Sequence, residues 1–248
     1  MGTTSNGIYC LSEDKSLSRP VTKGNITSIY EDSSNELWIG SWEEGLYRVK
    51  TDGNIENLRH NPMNTNSLCS NFVRSCCEDN SGDLWIGTFN GLNRYDRETG
   101  KFHLYTANGN SPDGLTHSSI WCIVKDGQGT IWLGTYFGGV NYFNPEYEIY
   151  TRYKVGDTEK EGLSSPIVGR MTEDKDGNLW ICTEGGGVNV YDRINNTYRW
   201  YRHEEGRNSI SHNNVKAIYY DRANEIMWIG THLGGLNKLD LRTNRFTV

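Results

Sequence analysis

The stretch GDLWIGTFNGLNRYD, residues 82–96, contains two short apolar runs joined by a loop that ends in glycine. The chain repeats this pattern four more times: NELWIGSWEEGLYRV (35–49), GTIWLGTYFGGVNYF (129–143), GNLWICTEGGGVNVY (177–191) and EIMWIGTHLGGLNKL (225–239). The central tryptophans are 47 or 48 residues apart: Trp38, Trp85, Trp132, Trp180 and Trp228. A recurrence this regular predicts one structural unit used five times.

Each repeat divides into four strand-like runs. In the second repeat these are FVRSCCE (72–78), DLWIG (83–87), GLNRYD (91–96) and KFHLYT (101–106), separated by the turn-forming segments DNSG, TFN and RETG. No run of ten or more residues has helical periodicity. Four antiparallel strands at a repeat of 40–50 residues are typical of a β-propeller blade. The sequence therefore predicts an all-β fold, a β-propeller with five full blades.

Two residue types recur at fixed places in every unit. We expect the Asp of the first turn to bond nearby backbone N–H groups, and the Gly before the third strand to allow a positive φ or a close approach. The aspartates are Asp32, Asp79, Asp126, Asp174 and Asp221, and the glycines are Gly45, Gly91, Gly139, Gly187 and Gly235. Stacking of neighbouring blades is expected to bury the Trp and Ile faces.

The predicted domain organisation is a single β-propeller domain over residues 1–248. It begins with a half blade at 7–22, in which GIYCL (7–11) matches a third strand and SRPVT (18–22) a fourth. The full blades are expected at 26–60, 72–106, 119–154, 167–203 and 214–248. Since five and a half blades lack the strands needed for closure, we expect a fragment of, or an arc from, a larger propeller.

Composition excludes several classes of function. The formal net charge is −6 and no long basic run occurs, so nucleic acid is not an expected partner. No apolar stretch is long enough to span a membrane, and the first residues, MGTTSNG, lack the basic and apolar segments of a signal peptide. The six cysteines have no zinc-ligand spacing and are expected to be buried free thiols. No cofactor or metal is expected.

The unit NFVRSCCEDNSGDLWIGTFNGLNRYDRETGKFHLY resembles the two-component regulator propeller repeat. The loops NTNSLCSNFV (64–73) and EGLSSPIV (161–168) resemble the approach to the next blade in that family. The resemblance extends over residues 7–248. It implies the periplasmic sensor region of a hybrid two-component sensor that responds to glycan-derived oligosaccharides, with other domains of a sensor histidine kinase as partners and a homodimer as a further partner. Kinase activity would lie in sequence outside this chain, which is itself expected not to be an enzyme.

Positions that differ between units are candidates for ligand binding. The loops between the second and third strands carry Trp42, Glu43, Glu44, Phe89, Asn90, Tyr136, Phe137, Glu184 and His232. We expect these loops and the blade-to-blade loops to open on one rim, where flat aromatic rings suit the C–H faces of sugars and carboxylates or amides bond hydroxyls. The alternative is that the rings pack on neighbouring loops.

A second irregular position lies five residues before the turn Asp, in the first strand of each unit. It holds Thr27, Arg74, Trp121, Gly169 and Lys216, and Arg170 follows Gly169. Since first strands line the channel of a propeller, Arg74, Trp121, Arg170 and Lys216 are candidates for its mouth, where the cations could meet an acidic sugar. The alternative for each cation is a salt bridge to an Asp or Glu.

Two other functions remain open at the level of sequence. One is a propeller that binds a protein surface. The other is a propeller glycoside hydrolase or lyase, which needs paired carboxylates that Glu43, Glu44 or Glu184 could supply. No nucleophile elbow, HExxH motif or phosphate-binding loop occurs in the chain.

Overall fold

The computed structural model describes residues 6–9, 22, 24–107, 114–144 and 149–248. This part of the chain contains β-strands and no helix. The strands are β1 Ile26–Glu31, β2 Leu37–Ser41, β3 Leu46–Val49, β4 Ile55–Leu58, β5 Val73–Glu78, β6 Leu84–Thr88, β7 Gly91–Asp96, β8 Lys101–Tyr105, β9 Ile120–Lys125, β10 Ile131–Thr135, β11 Val140–Asn144, β12 Ile149–Tyr153, β13 Val168–Glu173, β14 Leu179–Thr183, β15 Gly187–Asp192, β16 Thr197–Tyr201, β17 Val215–Asp221, β18 Ile226–Thr231, β19 Gly235–Asp240 and β20 Arg245–Thr247.

These strands form five four-stranded sheets, and in each sheet the strands follow chain order. The recorded pairings are antiparallel, as in the β5–β6–β7–β8 sheet. The predicted fold class, all-β with five four-stranded blades, is confirmed. Most of the predicted half blade at 7–22 lies outside the described residues, including Cys10 and Leu11 of GIYCL and all of SRPVT except Thr22. The predicted division of the chain into domain and blade ranges stays a prediction.

The chain is organised as two compact units. The first comprises the described residues of Met1–Asn108 and Ser118–Lys125, and the second those of Gly109–His117 and Asp126–Val248. Among the residues with described structure, no helix is long and apolar enough to cross a membrane.

Each unit buries a core between stacked sheets. In the first unit Trp38 packs with Val73 and Ile86 of the following sheet, and in the second unit Trp180 packs with Val215 and Ile229 of the following sheet. The expected burial of Trp and Ile faces between blades is confirmed at these two interfaces. The described cysteines are free; Cys76, Cys77, Cys122 and Cys182 are buried and Cys69 is half-buried, while Cys10 lies outside the described residues.

The turn aspartate explains how an indole can be buried without losing its hydrogen bond. Asp32 Oδ1 accepts the N–H groups of Ser34 and Glu36, at 2.8 and 3.0 Å, and Oδ2 accepts Nε1–H of Trp38 at 2.6 Å. One carboxylate thus closes the hairpin and satisfies the indole donor. The same pattern holds Trp85, Trp132 and Trp180 to Asp79, Asp126 and Asp174.

The fifth repeat departs from this pattern because its turn is one residue longer. Trp228 follows Asp221 by seven residues, whereas the other tryptophans follow their aspartates by six. Asp221 accepts the backbone and side-chain N–H groups of Asn224, and Trp228 is only half-buried. The expectation of one shared hairpin therefore holds for four repeats and needs this correction in the fifth.

Candidate functional site

The loops between second and third strands lie against the loops that lead into first strands. In the first unit Trp42 N–H donates to the Asn25 carbonyl at 2.9 Å, and Phe89 N–H to the Phe72 carbonyl at 3.1 Å. The second unit repeats the contact, with N–H groups of Glu184 and His232 bonded to the carbonyls of Ile167 and Asn214. Within each unit, both kinds of loop therefore meet at the same end of the sheets, as the sequence predicted.

A glycine holds each of these loops close to the fourth strand. Gly45 and Gly187 have φ of +80° and +79°, a conformation that L side chains rarely adopt. A Cβ at Gly45 would lie 2.4 Å from the Leu58 carbonyl oxygen, and one at Gly187 would lie 2.1 Å from that of Tyr201. The predicted need for positive φ and for close approach is confirmed at these two positions.

A buried asparagine in the third strand fixes the preceding connection. Asn189 Oδ1 accepts the Ser164 N–H, and Asn189 Nδ2 donates to Ser164 Oγ, both at 2.7 Å. The equivalent pairs are Asn93 with Cys69, Asn141 with Thr116 and Asn237 with Ser211, and all four asparagines are fully buried. We call each pair an asparagine latch; it fixes the loop that carries the variable residues.

The irregular position in the first strand is a β-bulge. The β1–β2 register shifts at Thr27, the β5–β6 register at Arg74 and the β17–β18 register at Lys216, while β13–β14 shifts across Gly169 and Arg170. A bulge leaves its extra residue out of the ladder and changes the direction of its side chain. The variable positions of the first strands are therefore bulge residues, whose side chains point in a direction that the regular strand ladder does not set.

In the first unit, aromatic side chains gather around one of these bulges. The Arg74 guanidinium lies over the ring of Trp42 at 4.3 Å and over the ring of Trp121 at 4.1 Å. Trp42 also meets Phe72 edge-on at 5.7 Å, and Phe72 lies 6.1 Å from Phe89. We call Trp42, Phe72, Arg74, Phe89 and Trp121 the aromatic cluster. Four of the predicted loop and strand positions thus lie in one cluster, which Phe89 joins through its contact with Phe72.

The aromatic cluster combines exposed rings with a cation held in place. Trp42 is 36% exposed and Phe89 49%, so both retain ring surface facing water. A guanidinium between two indoles is favoured by the electrostatics of both ring faces, at about 0.5–2 kcal/mol for each contact. The guanidinium places a positive charge beside exposed ring surface, so the arrangement suits a ligand with an apolar face and an acidic or hydroxyl group.

The predicted polar loop residues of the first unit have different surroundings. Glu44 forms an ion pair with Arg59, and Arg59 Nη2 also donates to the Glu43 carbonyl oxygen at 3.3 Å. Glu43 and Asn90 are exposed. Glu43 and Asn90 therefore present polar groups at the loop end, while the Glu44 carboxylate is already paired with a cation.

The second unit has a smaller group of aromatic residues. Tyr136 and Phe137 meet edge-on with ring centroids 4.4 Å apart, and His117 lies 6.4 Å from Phe137. Phe137 is 56% exposed. His232 is exposed in the corresponding loop of the last sheet.

The predicted basic residues of the second unit are Lys216 and Arg170. Lys216 forms an ion pair with Glu184, which is the arrangement that the sequence left open as an alternative to ligand contact. Ser165 Oγ donates to the Glu184 carbonyl at 2.8 Å and fixes that loop. Arg170 is exposed on β13.

Sequence reasoning missed Phe72 and His117. Phe72 lies seven residues before its turn Asp and His117 nine residues before its own, in columns that all five repeats share and that hold mostly polar residues. The candidate positions came from other columns, so these two were passed over. The aromatic character of Phe72 next to the bulge at Arg74 was the available signal.

The two component regulator propeller model matches the chain five times, at residues 20–43, 67–90, 114–137, 162–185 and 209–232. One match falls in each repeat, and each includes the turn aspartate and the loop between second and third strands or its beginning. The chain belongs to the two component regulator propeller family. No curated protein shows significant similarity to it.

Solved structures share the fold. The extracellular domain of a hybrid two component system from B. thetaiotaomicron is 23% identical with a TM-score of 0.56; the match covers 93% of this chain and 35% of that domain. Virginiamycin B lyase from Staphylococcus aureus is 16% identical with a TM-score of 0.70, over 98% of this chain and 76% of the lyase. At these identities the likeness establishes the propeller fold alone. The chain spans about a third, 35%, of the length of that extracellular domain.

Proposed function

We propose that this chain is part of the sensor region of a two-component system and binds a glycan-derived oligosaccharide at the aromatic cluster. The observation that carries the proposal is Arg74 held between Trp42 and Trp121, in a cluster that also contains the exposed ring of Phe89. Exposed rings of this kind stack on the C–H faces of sugars, and a held cation adds a group that bonds carboxylates or hydroxyls. Membership of the regulator propeller family supports a sensing role.

The cluster favours an oligosaccharide that carries an acidic group. Arg74 already has its charge placed between two rings, so a carboxylate that approaches its edge meets a donor with little freedom left to lose. Glu43 and Asn90 on the neighbouring loops can accept or donate hydrogen bonds to hydroxyls. Tyr136 and Phe137 offer a second stacking surface within the other unit.

The proposed signal goes to a histidine kinase domain of the same sensor, and the proposed location is the periplasm. The extracellular position of the hybrid two component neighbour supports that location. Binding can change such a partner only through a difference in affinity between two states of the sensor. The chain itself acts in this proposal by binding rather than by catalysis.

A thermal-shift panel tests the proposal. The panel contains neutral oligosaccharides from arabinan, xylan and mannan, and acidic ones from polygalacturonate and glycosaminoglycan. We expect an acidic class to raise Tm, since a ligand that binds only the folded chain stabilises it by RT ln(1 + [L]/Kd). Arg74→Gln should abolish the preference for acidic over neutral members, while Lys216→Gln, which loses a cation already paired with Glu184, should keep it.

The controls separate binding from folding. Trp42→Ala should remove the shift while the variant's own Tm stays within a few degrees of the parent. If no class raises Tm, or if a shift survives unchanged in Trp42→Ala and Tyr136→Ala, the oligosaccharide proposal is wrong. A protein surface would then be the occupant to examine for this loop end.

A further inference from the structure

Two arginines in this chain occupy equivalent places beside a turn aspartate. Arg97, in the β7–β8 turn, donates to Asp32 Oδ2 at 2.7 Å and lies 5.6 Å from the Trp38 ring centroid. Arg193, in the β15–β16 turn, pairs with Asp126 and lies 5.7 Å from the Trp132 ring. In both cases a guanidinium contacts the carboxylate that holds the indole of the preceding sheet.

The last turn has no arginine at this position. The segments DRETGK (96–101), DRINNT (192–197) and DLRTNR (240–245) align without gaps, and Leu241 stands where Arg97 and Arg193 stand. The strand pairings give the same alignment, because Asp192 pairs with Thr197 and Asp240 with Arg245. The guanidinium that the pattern calls for beside Asp174 and Trp180 is therefore missing from this turn.

An open cleft lies beside Asp174 and Trp180, where the other two repeats have an arginine side chain. It has a volume of about 410 Å³, lies within the second unit and is lined by Asp174, Asp176, Trp180, Asp192, Tyr201 and Leu241, among others. Asp174 is only half-buried, whereas Asp32 and Asp126 are 5% and 4% exposed. The neighbouring cleft beside Trp132 is lined by Arg193 and not by Asp126, so there the arginine covers the carboxylate.

The charges in the cleft are unbalanced toward the negative. Asp176 stands where the other two repeats have Ser34 and Gln128, and it adds a carboxylate to those of Asp174 and Asp192. Arg199 is the basic residue in the lining, and Lys175 next door is paired with Glu225. Asn178 Nδ2 donates to Asp174 Oδ2 at 3.0 Å, and Oδ2 is also the aspartate oxygen that Arg97 and Arg193 contact in the other two repeats. Because the amide of Asn178 is neutral, it does not balance the negative charge of Asp174.

We propose that this cleft is a binding site for a guanidinium group carried by a small molecule. The guanidinium would sit as Arg97 and Arg193 do, with its plane near the Trp180 ring and its N–H groups on Asp174. Trp180 is stacked on Tyr201 at 5.5 Å with an angle of 9°, and Trp132 is packed on Tyr153 at 5.5 Å with an angle of 36°, so an indole beside a tyrosine ring is present in both the open copy and the occupied copy of this unit. A planar group is favoured over an ammonium because it can stack and form paired hydrogen bonds at once.

Isothermal titration calorimetry with agmatine tests this site directly. We expect saturable binding at one site per chain, weakened by added salt because the attraction is partly electrostatic. Blocked Gly-Arg-Gly, run in parallel, distinguishes a free small molecule from an arginine within a polypeptide, and 1,4-diaminobutane, a dication like agmatine, measures the preference for guanidinium over ammonium. Equal binding of 1,4-diaminobutane and agmatine would overturn the guanidinium assignment.

Leu241→Arg is the decisive variant because it supplies the missing group from the chain itself. Agmatine binding should fall roughly tenfold or more, and Tm should rise. Thr243→Arg, an exposed position in the same turn, adds the same charge outside the lining and should change neither. Asp176→Ala is a second variant that removes a carboxylate from an exposed position and should weaken binding several-fold. If agmatine binds Leu241→Arg and the parent equally well, or binds neither, the proposal is wrong.

Discussion

Trp42 and Trp132 illustrate two uses of one residue type in this repeat. Trp132 is buried, donates to Asp126 at 2.8 Å and packs against Tyr142 and Tyr153. Trp42 is an exposed loop residue that contacts Phe72 and Arg74. Position in the repeat, rather than residue type, decides whether an indole stabilises the sheet or faces water.

Replacing each tryptophan by alanine should separate the two roles. Trp132→Ala creates a cavity and removes one of the hydrogen-bond donors to Asp126, so we expect a loss of about 3–5 kcal/mol in the free energy of unfolding. Trp42→Ala should cost less, about 1–2 kcal/mol, because Trp42 is 36% exposed and its removal leaves a space that is open to water rather than an enclosed cavity. Urea denaturation of both variants checks this, and equal losses would contradict the division.

The residue of the second strand that lies opposite each bulge is small in every repeat. Cys182 stands where the other repeats have glycine in the second strand, and it is fully buried. An ideal Cβ at Gly169 in the neighbouring strand would lie 3.9 Å from the Cys182 Cβ, an ordinary van der Waals distance, so the bulge itself leaves room for the Cys182 side chain.

At the scale of elements, the turn aspartates join sheets as well as hairpins. Arg97 connects Asp32 of the first sheet to Glu78 of the second, at 2.7 and 3.3 Å. Burial alone would raise the pKa of Asp32, but hydrogen bonds from Trp38, the Glu36 N–H and Arg97 outweigh it and hold the pKa of this carboxyl below its ordinary value. The ionised form of Asp32 is thus favoured in the folded state.

This lowered pKa predicts a stability that depends on pH. The stabilisation is fully present above the unfolded-state pKa of about 4, and it is lost as the pH falls through the lower folded-state value. Arg97→Leu removes one cause of the shift, so the Tm difference between parent and variant should be largest near neutral pH and shrink on acidification. Thermal melts at several pH values measure it. Arg207→Leu, which removes an exposed pair with Glu204, is the control, and a gap for Arg97→Leu that stays constant with pH would contradict the account.

The asparagine latches make a separate prediction about the connections between sheets. Asn189→Leu would leave the N–H and Oγ of Ser164 without the Asn189 amide, and we expect a loss of about 1–3 kcal/mol for each group left unsatisfied. Asn57→Leu, at an exposed position of β4, should change the free energy of unfolding by about 0.5 kcal/mol or less. Chemical denaturation of the pair gives the comparison, and similar losses would show that the latch contributes little.

At the scale of the whole molecule, the repeat made strand number and order predictable, because the sequence pattern of each strand and turn recurs five times. The predicted runs 72–78, 83–87, 91–96 and 101–106 differ from β5–β8 by a residue or less at each end. The aromatic cluster was predictable only in part. Its members Trp42, Phe89, Arg74 and Trp121 were found as exceptions within the repeat, whereas their stacking depends on bulge geometry that a sequence pattern does not specify.

The cleft beside Asp174 and Trp180 was not predicted, because what marks it in the sequence is the lack of an arginine at Leu241. Leu241 reads as an ordinary apolar residue until Arg97 and Arg193 are seen to perform the same contact in other repeats. Comparing the structures of the repeats within one chain therefore identifies a candidate site that comparing their sequences does not.

Hydrogen–deuterium exchange of this chain with and without the acidic oligosaccharides of the panel tests the central claim most directly. If the aromatic cluster binds the ligand, exchange should slow in the segments 41–45, 71–75, 88–91 and 120–122, and this protection should disappear in Trp42→Ala. Oligosaccharides that leave exchange in these segments unchanged, or that protect only segments away from them, would contradict the assignment of the cluster as the sensing site.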